Sequence, residues 1–478
     1  MDKKLKGQVF TSFDIVDKIL DEVGFVDGIL QKTILDPACG DGNFLVRIVK
    51  RVVQQSSKDN LAKNLSYIYG WDIDEKHLKQ AKQNLDKLVE PLHVEWNLEL
   101  RDALKVKDNL FENVGKFDFI VGNPPYIRIQ NLALEQRTYI QQNYKFCSKG
   151  STDIFIAFFE LSFYLLDQNG ICGFITPNSY FTTDTAKTLR DEFLVKKNII
   201  KIINYNSIQL FDDATTYSAI TIFDLKKRDA FVYQYAQSRD SFEDSELLFE
   251  TLQNKPFWSL TSSLQEEGVR LKDVADISVG LQTLADKVYI SKVDKTDKKF
   301  IYLDTFYKGI VKFERDILKP IVKVSTLKSS DFEVFEYIVF PYNDGKIMDE
   351  DDFKKRYPLG YKYLLSLRDI LDSRDKGKPN KIAWYAFGRN HGIVNSFGKK
   401  IVFSSMNKRP NFIYLSDENL TFYSGYSIKA DNIEKLLPQL NSLKMQEYMK
   451  VNGRDLRGGW KSYNKKIVQE FVLEVQNV

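Results

Sequence analysis

Between residues 33 and 225 the chain repeats one pattern: a short apolar run, a polar or glycine-bearing turn, then a helical stretch. The runs T-I-L-D (33–36), S-Y-I-Y-G-W-D-I-D (66–74), H-V-E-W-N-L-E-L (93–100) and F-D-F-I-V-G-N (117–123) read as strands. So do G-I-C-G-F-I-T-P (170–177), I-K-I-I-N-Y (200–205) and Y-S-A-I-T-I-F-D-L (217–225). Segments 44–53, 75–88 and 153–166 read as helices. Strands parted by helices predict a mainly parallel sheet covered on both faces, an α/β doubly wound, Rossmann-like fold. Such a sheet binds its ligand outside the carboxyl ends of its strands.

The polar motifs of this half fall at those ends. D-P-A-C-G-D-G-N-F (36–44) joins the first strand to a helix, and Gly40 and Gly42 let the backbone turn tightly and approach a ligand. The loop lacks the Gly-Lys-Ser/Thr ending of a phosphate cradle. An acid at the strand end, Asp36, with no phosphate-directed lysine suggests a cationic or zwitterionic ligand. Asp72 ends the second strand, where an acid hydrogen-bonds a ribose diol in Rossmann-type sites. Asp102 follows the third strand, where it can accept from an adenine amino group while Ala103 lies against the ring. Singly, each Asp is a common helix cap; three in succession point to an adenosine-containing ligand.

Asn123-Pro124-Pro125-Tyr126 follow the fourth strand. Each proline fixes its own φ and biases the preceding residue to extended geometry. The Asn123 side-chain oxygen and the Pro124 carbonyl can therefore point the same way. Two converging acceptors suit an NH2 group, which carries two donors, and Tyr126 adds a flat face for stacking.

With the glycine loop and the acidic strand ends, this segment resembles the S-adenosylmethionine-dependent amino-methyltransferases. It is most similar to the gamma-class (TaqI-like) adenine-N6 DNA methyltransferases of restriction-modification systems. The motif order supports that class: G-Q-V-F-T-S-F-D-I-V (7–16), then D-P-A-C-G-D-G, then the catalytic turn, then a C-terminal target-recognition domain. The resemblance covers about residues 7–228 and becomes looser beyond. It implies that Thr11, Asp36, Ala38, Cys39, Asp72, Ile73, Asp102 and Ala103 surround S-adenosylmethionine, with Phe158 touching it. It also implies that Asn123 and Pro124 accept from the target amine, that Tyr126 stacks on the base and that Phe211 covers its other face. Ala103 departs from the pattern, since an aromatic sometimes stands there, and the loop at 127–132 has no transferable assignment.

After about residue 228 the texture changes, and the expected division is a catalytic domain over 1–228, a connecting segment over 229–265 and an α+β target-recognition domain over 266–478. In the second half L-K-D-V-A-D-I-S-V-G-L (271–281), K-V-Y-I (287–290), E-Y-I-V-F-P-Y (336–342), K-I-V-F-S-S (400–405) and F-I-Y-L (412–415) stand out without a βαβ rhythm. Residues 1–250 hold 31 Lys and Arg against 36 Asp and Glu, and residues 251–478 hold 38 against 29. A basic, aromatic second half suits a polyanion, and double-stranded DNA is the expected partner.

Cys39, Cys147 and Cys172 are far apart, and His77, His93 and His391 are scattered, so neither a disulfide framework nor a metal site is expected. No stretch reads as a signal peptide or membrane span. The expectation is a cytoplasmic prokaryotic monomer that modifies DNA without cutting it. Because the chain starts at the cofactor motif, no fused N-terminal nuclease is expected, and any restriction endonuclease would be a separate partner. The alternatives are methylation of an RNA adenine, methylation of a protein glutamine amide, which poses the same NH2 problem, and a DNA-binding subunit with a dead methyltransferase fold. The intact Asn123-Pro124-Pro125-Tyr126 argues against the last.

Overall fold

The computed structural model describes residues 11–108, 115–206, 208–211, 217–255, 257, 258, 260, 268–456 and 458–474. The start of the 7–16 motif and the residues just after Phe211 lie outside them. The chain divides into two compact units, Met1–Gln265 and Glu266–Val478.

The first unit is built on a nine-stranded sheet. Its strands are β1 (Ile34–Asp36), β2 (Ile68–Asp72), β3 (Asn97–Leu100), β4 (Phe117–Gly122), β5 (Leu166–Pro177), β6 (Ile199–Asn204), β7 (Ser218–Phe223), β8 (Ala230–Ala236) and β9 (Phe242–Leu248). The order is β3-β2-β1-β4-β5-β7-β6-β8-β9. The pairs β1–β2, β1–β4, β2–β3 and β4–β5 are parallel, and β7 runs antiparallel to both β5 and β6. The strand order reverses at β1 and β4, so their carboxyl ends flank a crevice, the usual ligand position in an open α/β sheet.

Helices α1 (Phe13–Glu22), α2 (Asn43–Gln55), α3 (Leu61–Leu65), α4 (Glu75–Val89), α5 (Leu134–Asn143), α6 (Phe155–Leu165) and α7 (Lys187–Lys196) cover the sheet. In α4 the buried residues are Leu78, Ala81, Leu85 and Val89, a single stripe at helical spacing, and Asp74 caps its start by accepting from the Lys76 amide. One core packs Ile15, Ile19, Leu45 and Ile48 against one face of the sheet. Another packs Phe155, Phe159, Phe193 and Phe223 against the other. Helix α6 is apolar almost all round because the second core encloses it.

Two expectations need correction. The stretch 229–265, expected to be a connection, contributes β8 and β9 to the first sheet, with β8 parallel to β6 and β9 antiparallel to β8. Its charged side chains sit on the solvent side while Phe231 and Tyr233 alternate inward. The third strand is also shorter than 93–100, because Asn97–Leu100 alone pair with β2.

The second unit is α+β. Strands β10 (Asp276–Val279), β11 (Ile290–Thr296), β12 (Phe300–Thr305), β13 (Gly309–Glu314), β14 (Leu318–Lys323) and β15 (Glu336–Val339) open it. A six-stranded sheet runs β13-β12-β11-β15-β14 and ends with Thr421–Tyr423. A four-stranded sheet joins β10 to Tyr426–Lys429, Lys400–Phe403 and Phe412–Leu415. K-V-Y-I (287–290) is mostly a helical turn, Asp286–Tyr289, leading into β11, and 271–281 begins with another, Leu271–Val274.

Arg374 holds this unit together from inside. Its guanidinium donates to the carbonyls of Leu371 at 2.7 Å, Trp384 at 2.8 Å and Ala386 at 2.9 Å. Arg374→Ala removes these donors, although the Ala386 carbonyl keeps longer bonds from Tyr289 and Asn380, and is expected to lower the unit's stability by about 3 kcal/mol. Thermal and denaturant unfolding measure this, and a loss below about 0.5 kcal/mol would show that water replaces the guanidinium.

Candidate active site

The site begins with a loop that only glycine-containing sequence can form. After Asp36 ends β1, the chain turns back through Gly40 and Gly42, both at positive φ, and Gly42 starts α2 at φ 87°. A Cβ at Gly42 would stand 3.0 Å from the Cβ of Ala81 on α4. Glycine there lets α2 start close against its neighbour. At the end of β4 a Cβ on Gly122 would stand 2.7 Å from Asp36 Oδ1. The absence of a side chain at 122 therefore lets the acid of β1 and the Asn-Pro-Pro-Tyr turn of β4 share one crevice.

A cavity of about 240 Å3 opens there. Thirteen of the expected residues line it: Thr11, Asp36, Ala38, Cys39, Gly40, Asp72, Ile73, Asp102, Ala103, Asn123, Pro124, Pro125 and Phe158. Four strand ends and two helices thus bring together side chains spread over nearly 150 positions.

The acids are placed by backbone amides. Asp36 Oδ1 accepts from the Ala38 amide at 3.1 Å. Asp72 accepts from the amides of Gly40 at 2.9 Å and Asp74 at 2.8 Å, with His77 Nδ1 3.5 Å away. Asp102 accepts from the Leu104 amide at 3.1 Å. A carboxyl group keeps acceptor capacity beyond one or two such bonds, so they fix the groups without exhausting them. Asp36 is 1% exposed. Burial, with the charge of Asp72 adding to it and the Ala38 amide opposing it, pushes its carboxyl up to about 8. Burial and the same two acids raise the Cys39 thiol well above its ordinary value, which leaves it unionised and a poor nucleophile.

Thr11 and Asn123 meet across the chain. Asn123 Nδ2 donates to Thr11 Oγ1 at 3.1 Å, and Asn43 Nδ2 donates to the Thr11 carbonyl at 2.9 Å. The nitrogen side of the Asn123 amide faces Thr11, so the acceptor oxygen is directed away from it.

Tyr126 and Phe211 are adjacent but lie outside the cavity lining. Their ring centroids are 6.5 Å apart at 68°, edge to face, and Tyr126 Oη donates to the Ile175 carbonyl at 3.4 Å. Phe211 is 4% exposed and packs in the core. The two rings stand edge to face, and a base held between them, as the resemblance implies, requires them to turn.

The structure also adds residues to the site. Asn43, His77, Arg101, Gln136 and Tyr139 line the same cavity. Asn43 was legible as the first residue after the glycine loop. Gln136 and Tyr139 lie on α5, which buries Ile140 alone and shows no apolar stripe to betray it. Among the described residues, no cluster of three or more His, Cys, Asp or Glu is placed to hold a metal. None of their helices is long and apolar enough to cross a membrane.

A sheet ordered 3-2-1-4-5-7-6 with an antiparallel seventh strand, with acids at three strand ends and an Asn-Pro-Pro-Tyr turn at the fourth, defines a Rossmann-like methyltransferase fold. Residues 44–211 match the family model described as Eco57I restriction-modification methylase. The chain is 24% identical over 399 residues to the Type II restriction enzyme and methyltransferase RM.Eco57I of Escherichia coli, covering 74% of this chain and 40% of that protein. It is 24% identical over 489 residues to the Type II methyltransferase M.BanIII of Aneurinibacillus aneurinilyticus, covering 86% of this chain and 78% of that one. Among solved structures it resembles the Type IIL restriction-modification enzyme MmeI, determined in complex with DNA, with TM-score 0.65 and 16% identity over 96% of this chain and 65% of that chain. At that identity the likeness speaks to the fold.

Proposed function

We propose that this protein is a site-specific DNA methyltransferase that moves a methyl group from S-adenosylmethionine to the N6 amino group of an adenine rotated out of double-stranded DNA. The observation that carries the reading is the meeting of Asn123 and Pro124 with Asp36, Asp72 and Asp102 in one cavity. The similarity to Type II methyltransferases supports DNA as substrate and disfavours RNA adenine or protein glutamine.

The residues suit the cofactor. A buried acid at the cavity floor, with its carboxyl pushed up to about 8, is a group that a cation would stabilise in its charged form. Asp36 would hold the cationic methionine end, Asp72 the ribose and Asp102 with Ala103, Ile73 and Phe158 the adenine. Bound S-adenosylmethionine supplies an electrophilic methyl group on a positively charged sulfur.

The chain's own part is positioning. An adenine amino group is a poor nucleophile because its lone pair is delocalised into the ring. Acceptors at Asn123 Oδ1 and the Pro124 carbonyl draw its two hydrogens toward one side, which favours tetrahedral nitrogen and a localised lone pair. Fixed dipoles of this kind act without reorganising during the reaction. An amine inside a duplex cannot reach such a cavity, so the base must leave the stack. Turning of the Tyr126 and Phe211 rings would then give the base two aromatic faces.

Thr11 serves this clamp by holding the Asn123 amide. Thr11→Val keeps the shape and removes the hydroxyl, and it is expected to lower kcat about tenfold with the cofactor KM within about twofold. Thr11→Ser is expected to restore kcat. A raised KM at unchanged kcat would make Thr11 a cofactor contact and not a positioning group.

The reading is tested by incubating the protein with methyl-labelled S-adenosylmethionine and, separately, duplex DNA, RNA and a protein bearing an exposed glutamine. Label in DNA is expected; label confined to RNA or protein would overturn it.

A further inference from the structure

The second unit carries an aromatic tip that its own packing does not explain. Strands β12 and β13 form a hairpin whose turn is Phe306-Tyr307-Lys308, closed by the pair Thr305 and Gly309. Thr305 Oγ1 donates to the Gly309 carbonyl at 2.8 Å and accepts from the Lys308 amide at 3.2 Å. Gly309 sits at φ 64°, as such a turn requires. The turn is thus locked, yet it presents Phe306 64% exposed, Tyr307 40% exposed and, beside them, Ile310 59% exposed. The two rings stand edge to face at 4.9 Å. Neighbouring exposed large apolar groups on a rigid tip do not stabilise a soluble fold and mark a contact surface.

The surroundings are cationic. Lys287 Nζ lies 4.1 Å above the Phe306 ring. On the outward side of the sheet, Lys312 Nζ lies 3.7 Å above Phe300, and Lys295 Nζ lies 4.5 Å above Tyr302. The register places Lys292 and Ile310 on either side of Asp304, and Lys295 and Lys312 on either side of Tyr302. Of the acids at these positions, Glu314 accepts from the amides of Leu359 and Gly360 and Glu336, paired with Lys292, accepts from the Tyr423 hydroxyl, while Asp304 is exposed. Asp294 and Asp297 lie beyond, and Asp297 accepts from the amides of Lys299 and Phe300. The face therefore presents aromatic rings with ammonium groups on them, a surface for base faces and phosphates together.

We propose that this hairpin docks on duplex DNA, its tip Phe306 and Tyr307 wedging against a base step while Lys287, Lys308 and Lys312 take the flanking phosphates. Apolar wedges beside basic groups are a general way of opening or kinking a duplex. The proposal rests on the DNA reading given above and names the surface that would carry it.

The test uses the full chain and a genomic DNA fragment that the wild type methylates. Phe306→Ala/Tyr307→Ala removes exposed rings and is expected to melt like the wild type. It should bind the fragment about five- to a hundredfold more weakly, with the salt dependence of binding unchanged. Lys287→Ala/Lys308→Ala should flatten the salt slope by about two. Wild-type affinity in both variants would overturn the inference and leave the methyltransferase reading standing. Wild-type DNA affinity together with loss of a dimer in the ring variant would also overturn it, in favour of a second copy as the occupant. A wild-type protein that methylates no DNA would remove the reading and the inference together.

Discussion

Asn123→Ala is expected to cut methyl transfer by about a hundredfold or more while leaving S-adenosylmethionine affinity within about threefold of wild type. The separation follows from the geometry. Asn123 follows the end of β4 with its nitrogen bonded to Thr11, and on the proposed reading its oxygen is the atom that accepts from the amine. On the proposed reading, the cofactor's charged and polar ends would fall to Asp36, Asp72 and Asp102 at three other strand ends of the same cavity. Removing the amide takes away one of two acceptors and leaves the other half of the cavity intact. Single-turnover transfer and equilibrium cofactor binding, measured on the same preparation, check both numbers. Equal transfer by the variant would mean that the amine is activated by another group. Parallel losses in transfer and cofactor affinity would mean that Asn123 serves the cofactor.

The second large effect is a pH dependence of cofactor binding set by Asp36. Its carboxyl is pushed up to about 8 by burial, so at neutral pH the ligand-free protein holds it mainly protonated. A cation bound beside it favours the carboxylate, so binding releases a proton. Affinity is expected to rise by about tenfold per pH unit at most below 8 and to level off above it. Titration calorimetry in two buffers of different ionisation enthalpy counts the proton released. Asp36→Asn is expected to abolish this dependence and to weaken the cofactor about a hundredfold at pH 8, since a buried cation loses its partner. The same group acts on folding with the opposite sign. With the folded value above the unfolded one, its stabilisation is complete below about pH 4 and is lost as pH rises to about 8. The ligand-free melting temperature of Asp36→Asn should fall less than the wild type's across that window. Identical pH profiles for wild type and variant would show that Asp36 does not carry the proton.

The parts of the site legible in the sequence share one property: they interrupt apolar runs. Asp36, Asp72, Asp102 and Asn123 each end or follow such a run, so strand ends could be located before any coordinates, and the sheet gathered them. What was not legible came from segments without a period. Helix α5 brings Gln136 and Tyr139 to the cavity while burying Ile140 alone, so nothing in its sequence marks a packed face. Of the strands β8 and β9, the second is masked by charge, and β8, A-F-V-Y-Q-Y-A, carries none. In F-E-D-S-E-L-L most positions face water, as on an edge strand, so its polarity resembles that of a connection. The base sandwich of Tyr126 and Phe211 shows a different limit. Proximity followed from the motif, but ring orientation depends on packing, and here the two rings stand edge to face at 6.5 Å within one core. The hairpin tip at Phe306 and Tyr307 has no mark in the sequence, because exposure depends on the fold.

The most direct test of the central claim is to let the protein transfer labelled methyl from S-adenosylmethionine to bacterial genomic DNA, digest the product to nucleosides and identify the one that carries label. The expected product is N6-methyldeoxyadenosine, absent with Asn123→Ala. Label on cytosine, or labelled adenine formed equally well by Asn123→Ala, would contradict it.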